Sequence, residues 1–347
     1  MLKNTLDYRK RIVFVRLGGI GDVVHTLPLV NYLRKKYEQA NIEYITSPDI
    51  AELLRNCTPY IDMVWEYDKK NKDNFFKQFL KSGKVFYFFN LHTSLKFLFS
   101  NLLCVRATRF YQYKKDNKIH AVINFAKTYD SQISGMSLAH KVLFVSGEED
   151  LLKKYGLKDG KYICFVIGVG KERPNRAWLY ERWIMLAKKF LNQNKNYQVL
   201  FLGGNDEKEM LRNWLKELNG ANDYGDSIPG LDNRAINLIG KLSLSEVTKV
   251  ISGSECLLSC DTGLLHVASA LSAKVIGLYG PTSHLRTGPY TSNYDILTPK
   301  SCQCSKSFFQ KKKCNNKNGS FGICMEDIHV DDVLEKIKML REYSLII

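Results

Sequence analysis

Short apolar runs alternate with amphipathic segments along almost the whole chain. Ile12–Arg16 is β-branched and apolar and leads into a glycine turn at Gly18, Gly19 and Gly21. Val23, Val24, Leu27, Val30, Leu33 and Tyr37 follow at spacings that lay one apolar stripe along a helix. Pro28 falls inside that stripe, so the helix either bends there or starts near Thr26. Ile42–Thr46, Met63–Trp65 and Val85–Phe89 read as further strands, and Ser137–Val145 reads as a helix. A second series opens near residue 161, with strands at Tyr162–Ile167, Gln198–Leu202, Glu255–Ser259 and Lys274–Tyr279. Helices are expected at Leu179–Leu191 and Asp206–Leu218, from the capping box Ser243-Leu-Ser-Glu246, and after Asp261. Such alternation predicts two βαβ arrays, each an α/β layer built on a parallel, doubly wound sheet. The arrays are expected at residues 1–155 and 156–330, with the polar stretch Gly147–Gly160 as linker. A cysteine-rich insertion occupies 301–324, Val330–Tyr343 returns as a helix, and 331–347 closes the chain.

Composition narrows the class. Apolar residues make up 45% and charged residues 25%, which excludes a disordered, collagen-like or coiled-coil chain. The most apolar run, Leu95–Val105, is interrupted by Lys96, Ser100 and Asn101 and falls short of the ~18 residues of a membrane span. Arg16 and the glycine turn break the N-terminal apolar run, which argues against a secretory leader. A cytoplasmic location is therefore expected. The net charge of +16 favours anionic partners, whether nucleic acid, phosphosugars, nucleotide donors or an acidic membrane surface. Cys57, Cys104, Cys164, Cys256 and Cys260 are scattered and read as small buried apolar residues.

Ligands of open parallel sheets bind where strand C-termini meet helix N-termini, and three such turns carry chemistry. In Leu17-Gly-Gly-Ile-Gly-Asp22 the glycines Gly18, Gly19 and Gly21 let a ligand approach the backbone. Asp22 lies near the positive end of a helix, where an ionised carboxylate is favoured. It can take a proton from a hydroxyl nucleophile, or it can simply cap the helix. The glycine spacing is not G-x-G-x-x-G, and Glu43 falls before the end of its strand, which disfavours a nicotinamide cofactor. In Asp261-Thr-Gly-Leu-Leu-His266, free N–H groups at a helix entrance can hold a diphosphate. There Thr262 adds a hydroxyl, and Asp261 can accept from sugar hydroxyls or serve as a cap. His266 is on the same helix, where a lone histidine is more often structural than catalytic. The third turn, Gly168 to Trp178, carries Lys171, Arg173 and Arg176, which can neutralise a phosphate or stand as a solvated basic loop.

Together these blocks resemble a known family. Arg16-Leu-Gly-Gly-Ile-Gly-Asp-Val-Val-His-Thr-Leu-Pro28 is similar to the N-terminal signature of the glycosyltransferase family 9 heptosyltransferases. Arg176-Ala-Trp-Leu-Tyr-Glu-Arg-Trp183 resembles that family's Lys-x-Trp-Pro-x-Glu-x-aromatic block. Ser259-Cys-Asp-Thr-Gly-Leu-Leu-His-Val-Ala268, followed by Leu278-Tyr-Gly-Pro-Thr282, resembles its donor-site block. The resemblance implies a GT-B fold, two Rossmann-like domains facing a central cleft that closes on its substrates. It implies inverting transfer of heptose from ADP-heptose, usually to lipopolysaccharide inner core, without a catalytic metal. On that resemblance Asp22 matches the catalytic base, Asp261 the contact to the donor sugar, and Thr262 and Gly263 the diphosphate turn. Arg176 stands where the family commonly has a phosphate-binding lysine, and Leu179 stands for its usual proline. Glu207 matches an acidic residue on the ribose, and His266 completes the donor set. The implied acceptor is an anionic glycolipid or a protein, reached by peripheral association with the inner face of the cytoplasmic membrane.

Cys302, Cys304, Cys314 and Cys324 supply four soft ligands within one lysine-rich stretch. Four thiolates suit structural zinc or iron in a tetrahedral site; the alternative is reduced thiols in a basic loop. One branch of the family, the autotransporter heptosyltransferases, modifies proteins and holds iron on four cysteines, with longer spacings than these. A nucleic-acid-binding protein using the same Cys/Lys loop is the rival from another class, but no recognised nucleic-acid fold accompanies it, and no nucleic acid is expected as a partner.

Overall fold

The apolar runs fold as parallel strands. The computed structural model describes residues 10–94, 107–145, 150–170, 173–209, 211–212, 228, 230–300 and 323–343. The chain divides into two compact units, Met1–Phe144 and Val145–Ile347. The first holds β1 (Arg11–Val15), β2 (Asn41–Thr46), β3 (Met63–Glu66), β4 (Val85–Asn90) and β5 (Ala107–Gln112), ordered β3-β2-β1-β4-β5. The second holds β6 (Tyr162–Val166), β7 (Gln198–Leu202), β8 (Ala235–Asn237), β9 (Cys256–Cys260), β10 (Val275–Leu278) and β11 (Tyr294–Leu297), ordered β11-β10-β9-β6-β7-β8. Every pairing in both sheets is parallel. These are the two doubly wound α/β sheets that the alternation predicts.

All residues of β1, β6 and β9 are buried, because helices cover both faces of a parallel sheet. That is why these strands read as continuous apolar runs. The chain winds outward from β1 in one direction and returns to β4 on the other side, so the first sheet reverses between β1 and β4. The second reverses between β6 and β9. A crevice at the strand C-termini opens at such reversals; Asp22 follows β1, Arg176 follows β6 and Asp261 follows β9.

Several local expectations need correction. The first helix runs unbroken over Ile20–Lys36, through Pro28 and from well before Thr26. Pro28 has no N–H to donate to the Val24 carbonyl, so the helix passes through it with one backbone hydrogen bond fewer. Ser137–Val145 is not a helix. Gly135–Ser137 forms a 3-10 turn, and the residues after it are irregular. Leu138, Val142 and Leu143 are buried, and the Phe144 N–H donates to the Cys57 carbonyl at 2.8 Å. The apolar spacing there reports docking of an irregular chain, not a helical stripe. In the expected linker, residues 146–149 lie outside the described residues. Leu151–Lys154 forms a helix, and the Gly160 N–H donates to the Gly253 carbonyl at 2.8 Å within the second unit. Strands β5, β8 and β11 escaped the sequence reading. All three are sheet edges, where one side is unpaired and the apolar run is short or mixed.

Candidate active site

In the first unit, β1 ends in a turn that only glycine accommodates easily. Gly18 and Gly19 have φ of 76° and 74°, in the left-handed region. Gly19 is the N-cap of the Ile20–Lys36 helix and Gly21 lies inside it, which puts Asp22 in the first helical turn. No side chain caps this helix. Asp22 is instead half-exposed and pairs through Oδ2 with Arg16 Nη2. Arg16 Nη1 donates to the Leu91 carbonyl at 3.0 Å. The Leu17 N–H donates to His92 Nε2 at 2.9 Å. Burial first, and then the Arg16 charge, pull the His92 pKa down to about 4, so its ring is neutral near pH 7. Sequence reasoning missed His92. The available signal was its place two residues beyond β4, at the reversal of strand order.

In the second unit, β9 delivers Asp261 to the entrance of the Gly263–Ala270 helix. Thr262 is the N-cap residue, but its hydroxyl meets Ser259 Oγ at 3.0 Å instead of capping the helix. The first N–H groups of that helix therefore carry no side-chain cap, the arrangement that receives an anion. Asp261 is buried. Its Oδ2 lies 2.9 Å from Arg176 Nη1, and its Oδ1 lies 3.3 Å from His266 Nε2. Thr287 Oγ1 donates to Oδ2 at 3.4 Å. Burial pushes the Asp261 pKa up, but the His266 hydrogen bond and the Arg176 charge outweigh it and hold the carboxyl below its usual range. His266 is thus a buried partner of Asp261.

Arg176 ends a 3-10 turn, Pro174–Arg176, that follows β6. Arg173 precedes that turn, and Lys171 lies outside the described residues. Leu179 has φ of −59°, the value a proline ring would impose, so its backbone keeps the geometry of the family's usual residue. Glu207 bridges two glycine turns. Its Oε1 accepts the Gly170 N–H at 3.0 Å and its Oε2 the Gly204 N–H at 2.8 Å. Gly168 is glycine because a Cβ there would lie 1.7 Å from Glu207 Cγ. The switch point between β6 and β9 therefore gathers Asp261, Thr262, Gly263, His266 and Arg176, with Glu207, in the helical stretch after β7, bridging the turns after β6 and β7.

Glu43 is buried in β2 and accepts from Arg11, Asn41 and Trp65 at 2.5–2.7 Å. A carboxylate so engaged has no ribose-binding role. Cys57, Cys164, Cys256 and Cys260 are buried, as expected of small apolar residues, and Cys104 lies outside the described residues. Burial pushes the Cys256 and Cys260 thiols up to about 12. Cys302, Cys304 and Cys314 also lie outside the described residues. Cys324 is buried, and a Cβ on Gly280 would stand 2.9 Å from its Sγ. Among the described residues, no group of three or more His, Cys, Asp or Glu is placed to hold a metal. No described helix is long and apolar enough to cross a membrane.

With that geometry in hand, comparison with known proteins is decisive. The family model of glycosyltransferase family 9 (heptosyltransferase) matches residues 141–318. The chain belongs to glycosyltransferase family 9. It is therefore an enzyme of glycosyl transfer, as the three sequence blocks imply. This family 9 chain is 22% identical to the lipopolysaccharide core heptosyltransferase OpsX of Haemophilus influenzae, over 95% of this chain and 97% of that one. Its fold matches the crystal structure of the glycosyl transferase family 9 from Veillonella parvula DSM 2008 with a TM-score of 0.77 and 22% identity, over 96% of this chain and 98% of that one. It also matches the E. coli ADP-heptose lps heptosyltransferase II with a TM-score of 0.73 and 19% identity, over 95% and 98%. Both likenesses place the two-sheet GT-B fold.

Proposed function

We propose that this family 9 enzyme moves heptose from ADP-heptose to a hydroxyl of the lipopolysaccharide inner core, with inversion. The observation that carries the reading is the pair of switch-point sites: a half-exposed carboxylate at one, and an uncapped helix entrance beside a buried Asp261–Arg176 pair at the other. Asp22 is the base. Arg16 engages its Oδ2, and Oδ1 receives the acceptor's proton. The freed oxygen attacks the anomeric carbon from the face opposite the nucleotide. As the new C–O bond forms, the bond to the diphosphate breaks and its electron pair leaves with ADP. The N–H groups at the start of the Gly263 helix and the Arg176 guanidinium stabilise the charge gathering on the diphosphate. Asp261 contacts the donor sugar and His266 orients Asp261; Glu207 faces the ribose. No metal takes part in this chemistry.

Charge supports an anionic acceptor. Residues 1–144 carry 23 Lys and Arg against 12 Asp and Glu. The enzyme works on its glycolipid at the inner face of the cytoplasmic membrane. Cys302, Cys304, Cys314 and Cys324 form a separate structural site for iron or zinc, which four thiolates suit. A donor panel tests the main reading. ADP-heptose should be consumed and heptose should appear on lipopolysaccharide core by mass spectrometry; preference for another sugar nucleotide, or heptose found only on protein, would overturn it.

A further inference from the structure

The Gly18-Gly19 turn has no side chain of its own to fix it, and the helix it opens has no side-chain cap. What holds it comes from the two residues after β4, across the reversal of strand order. The Leu91 N–H donates to the Val15 carbonyl at 3.0 Å, and Arg16 Nη1 donates back to the Leu91 carbonyl at 3.0 Å. The Leu17 N–H donates to His92 Nε2 at 2.9 Å. Leu91 and His92 thus anchor Arg16 and Leu17, and Arg16 extends the chain of contacts to the Asp22 carboxylate. The His92 backbone is itself fixed. Its N–H donates to Asn90 Oδ1 at 3.3 Å, and its carbonyl accepts from Gln112 Nε2 at 2.6 Å. Asn90 and Gln112 are joined in turn at 2.7 Å.

A ring nitrogen that accepts an N–H carries no proton, so His92 acts here as the neutral imidazole protonated on Nδ1. An imidazolium would turn an N–H toward the Leu17 N–H and set a second cation beside Arg16. Burial and the Arg16 charge both oppose that form.

We propose that His92 is a positioning residue for Asp22, acting through the Leu17 N–H and the Arg16 side chain, and that it does so with an unprotonated Nε2. The inference rests on the reading of Asp22 as the base. A misplaced reacting group of about 1 Å can cost about 100-fold in rate, so a loosened turn should appear in turnover before it appears in binding.

The test compares His92→Leu, His92→Gln and Asp22→Asn in the full chain, with kcat and both KM values measured. His92→Leu should lower kcat at least ~10-fold with both KM values within about 2-fold of wild type. His92→Gln, whose Oε1 can accept the same N–H, should recover kcat to within about 3-fold. If His92→Leu does not fold, His92→Asn takes its place, since its amide is too short to reach Leu17, and the same loss is expected. Nitrogen NMR of the labelled histidine at pH 7 should find Nε2 without a proton. An unchanged kcat in the Leu (or Asn) variant, a Gln variant equally impaired, or a protonated Nε2 each overturns the inference. Full turnover in Asp22→Asn removes the base reading itself. A dead Asp22→Asn beside an intact His92→Leu removes only the role given to His92.

Discussion

Arg176 Nη1 lies 2.9 Å from Asp261 Oδ2 and donates to the Asp261 backbone carbonyl at 3.2 Å. One guanidinium therefore joins the turn after β6 to the turn after β9, at the point where the second sheet reverses. Asp261 is buried and ionised, so the pair has a structural consequence as well as a chemical one. Asp261→Asn would leave Arg176 without its counter-charge. Breaking a buried pair from one side costs about 3 kcal/mol, so thermal unfolding should come several degrees earlier and donor affinity should fall. An Asp261→Asn protein with the wild-type melting temperature would show the pair to be of no consequence.

Asp22 is half-exposed and pairs only with Arg16 among the described residues, so its removal should spare the fold. Asp22→Asn should keep its melting temperature and its donor KM while losing about 100-fold or more in kcat, the usual scale of a general base. Near-normal turnover would assign the proton to another group.

Gly168→Ala tests the placement of Glu207. The added methyl would lie 1.7 Å from Glu207 Cγ, a distance no rotamer adjustment of a fixed carboxylate tolerates. Displacement of Glu207 should raise the KM for the sugar nucleotide by about 10-fold, in line with an overpacking cost of ~1–3 kcal/mol. The acceptor KM should not move. An unaltered donor KM would separate Glu207 from the nucleotide.

His92 gives the fold a pH dependence of definite sign. Its folded pKa is pulled to about 4, below the value near 6.5 of the unfolded chain. Between those values the unfolded state binds the extra proton, so stability falls as pH drops from about 6.5 toward about 4. Denaturant titrations across that range should give a shallower slope for His92→Gln than for wild type. Parallel slopes would mean that the ring is not held neutral.

The cysteine site is open to direct measurement. Protein purified without chelators should contain about one zinc or iron per chain, and Cys302→Ser with Cys304→Ser should abolish it. Chelation should lower thermal stability without a change in kcat at a temperature where the fold survives. Metal content near zero would leave these residues as thiols.

How much of this was legible beforehand depends on where each residue sits. The central strands β1, β6 and β9 could be read because burial on both faces leaves a continuous apolar run. The Ser243–Glu246 box was legible because its two hydrogen bonds, at 3.3 and 2.7 Å, are local and need no partner from elsewhere. Of the edge strands, β3 could be read but β5 could not, since half of its residues are exposed to solvent and none is fully buried. Ser137–Val145 misled because buried residues in an irregular segment can fall at helical spacing by accident of what they dock against.

Asp22, Asp261, Thr262 and Gly263 were visible because strand–turn–helix joints announce themselves through glycine, hydroxyl and acidic residues close in the chain. By itself, then, the order of residues determined the two parallel α/β sheets and the turns from which chemistry must come, because hydrophobic periodicity and turn propensity are local. Only the tertiary structure decided that His92 meets Leu17, that Arg16 meets Asp22 and that Arg176 meets Asp261. The first and last of those contacts join residues 75 and 85 positions apart. They exist because strand order reverses, and a reversal belongs to the packing of whole elements, which no short stretch of sequence records.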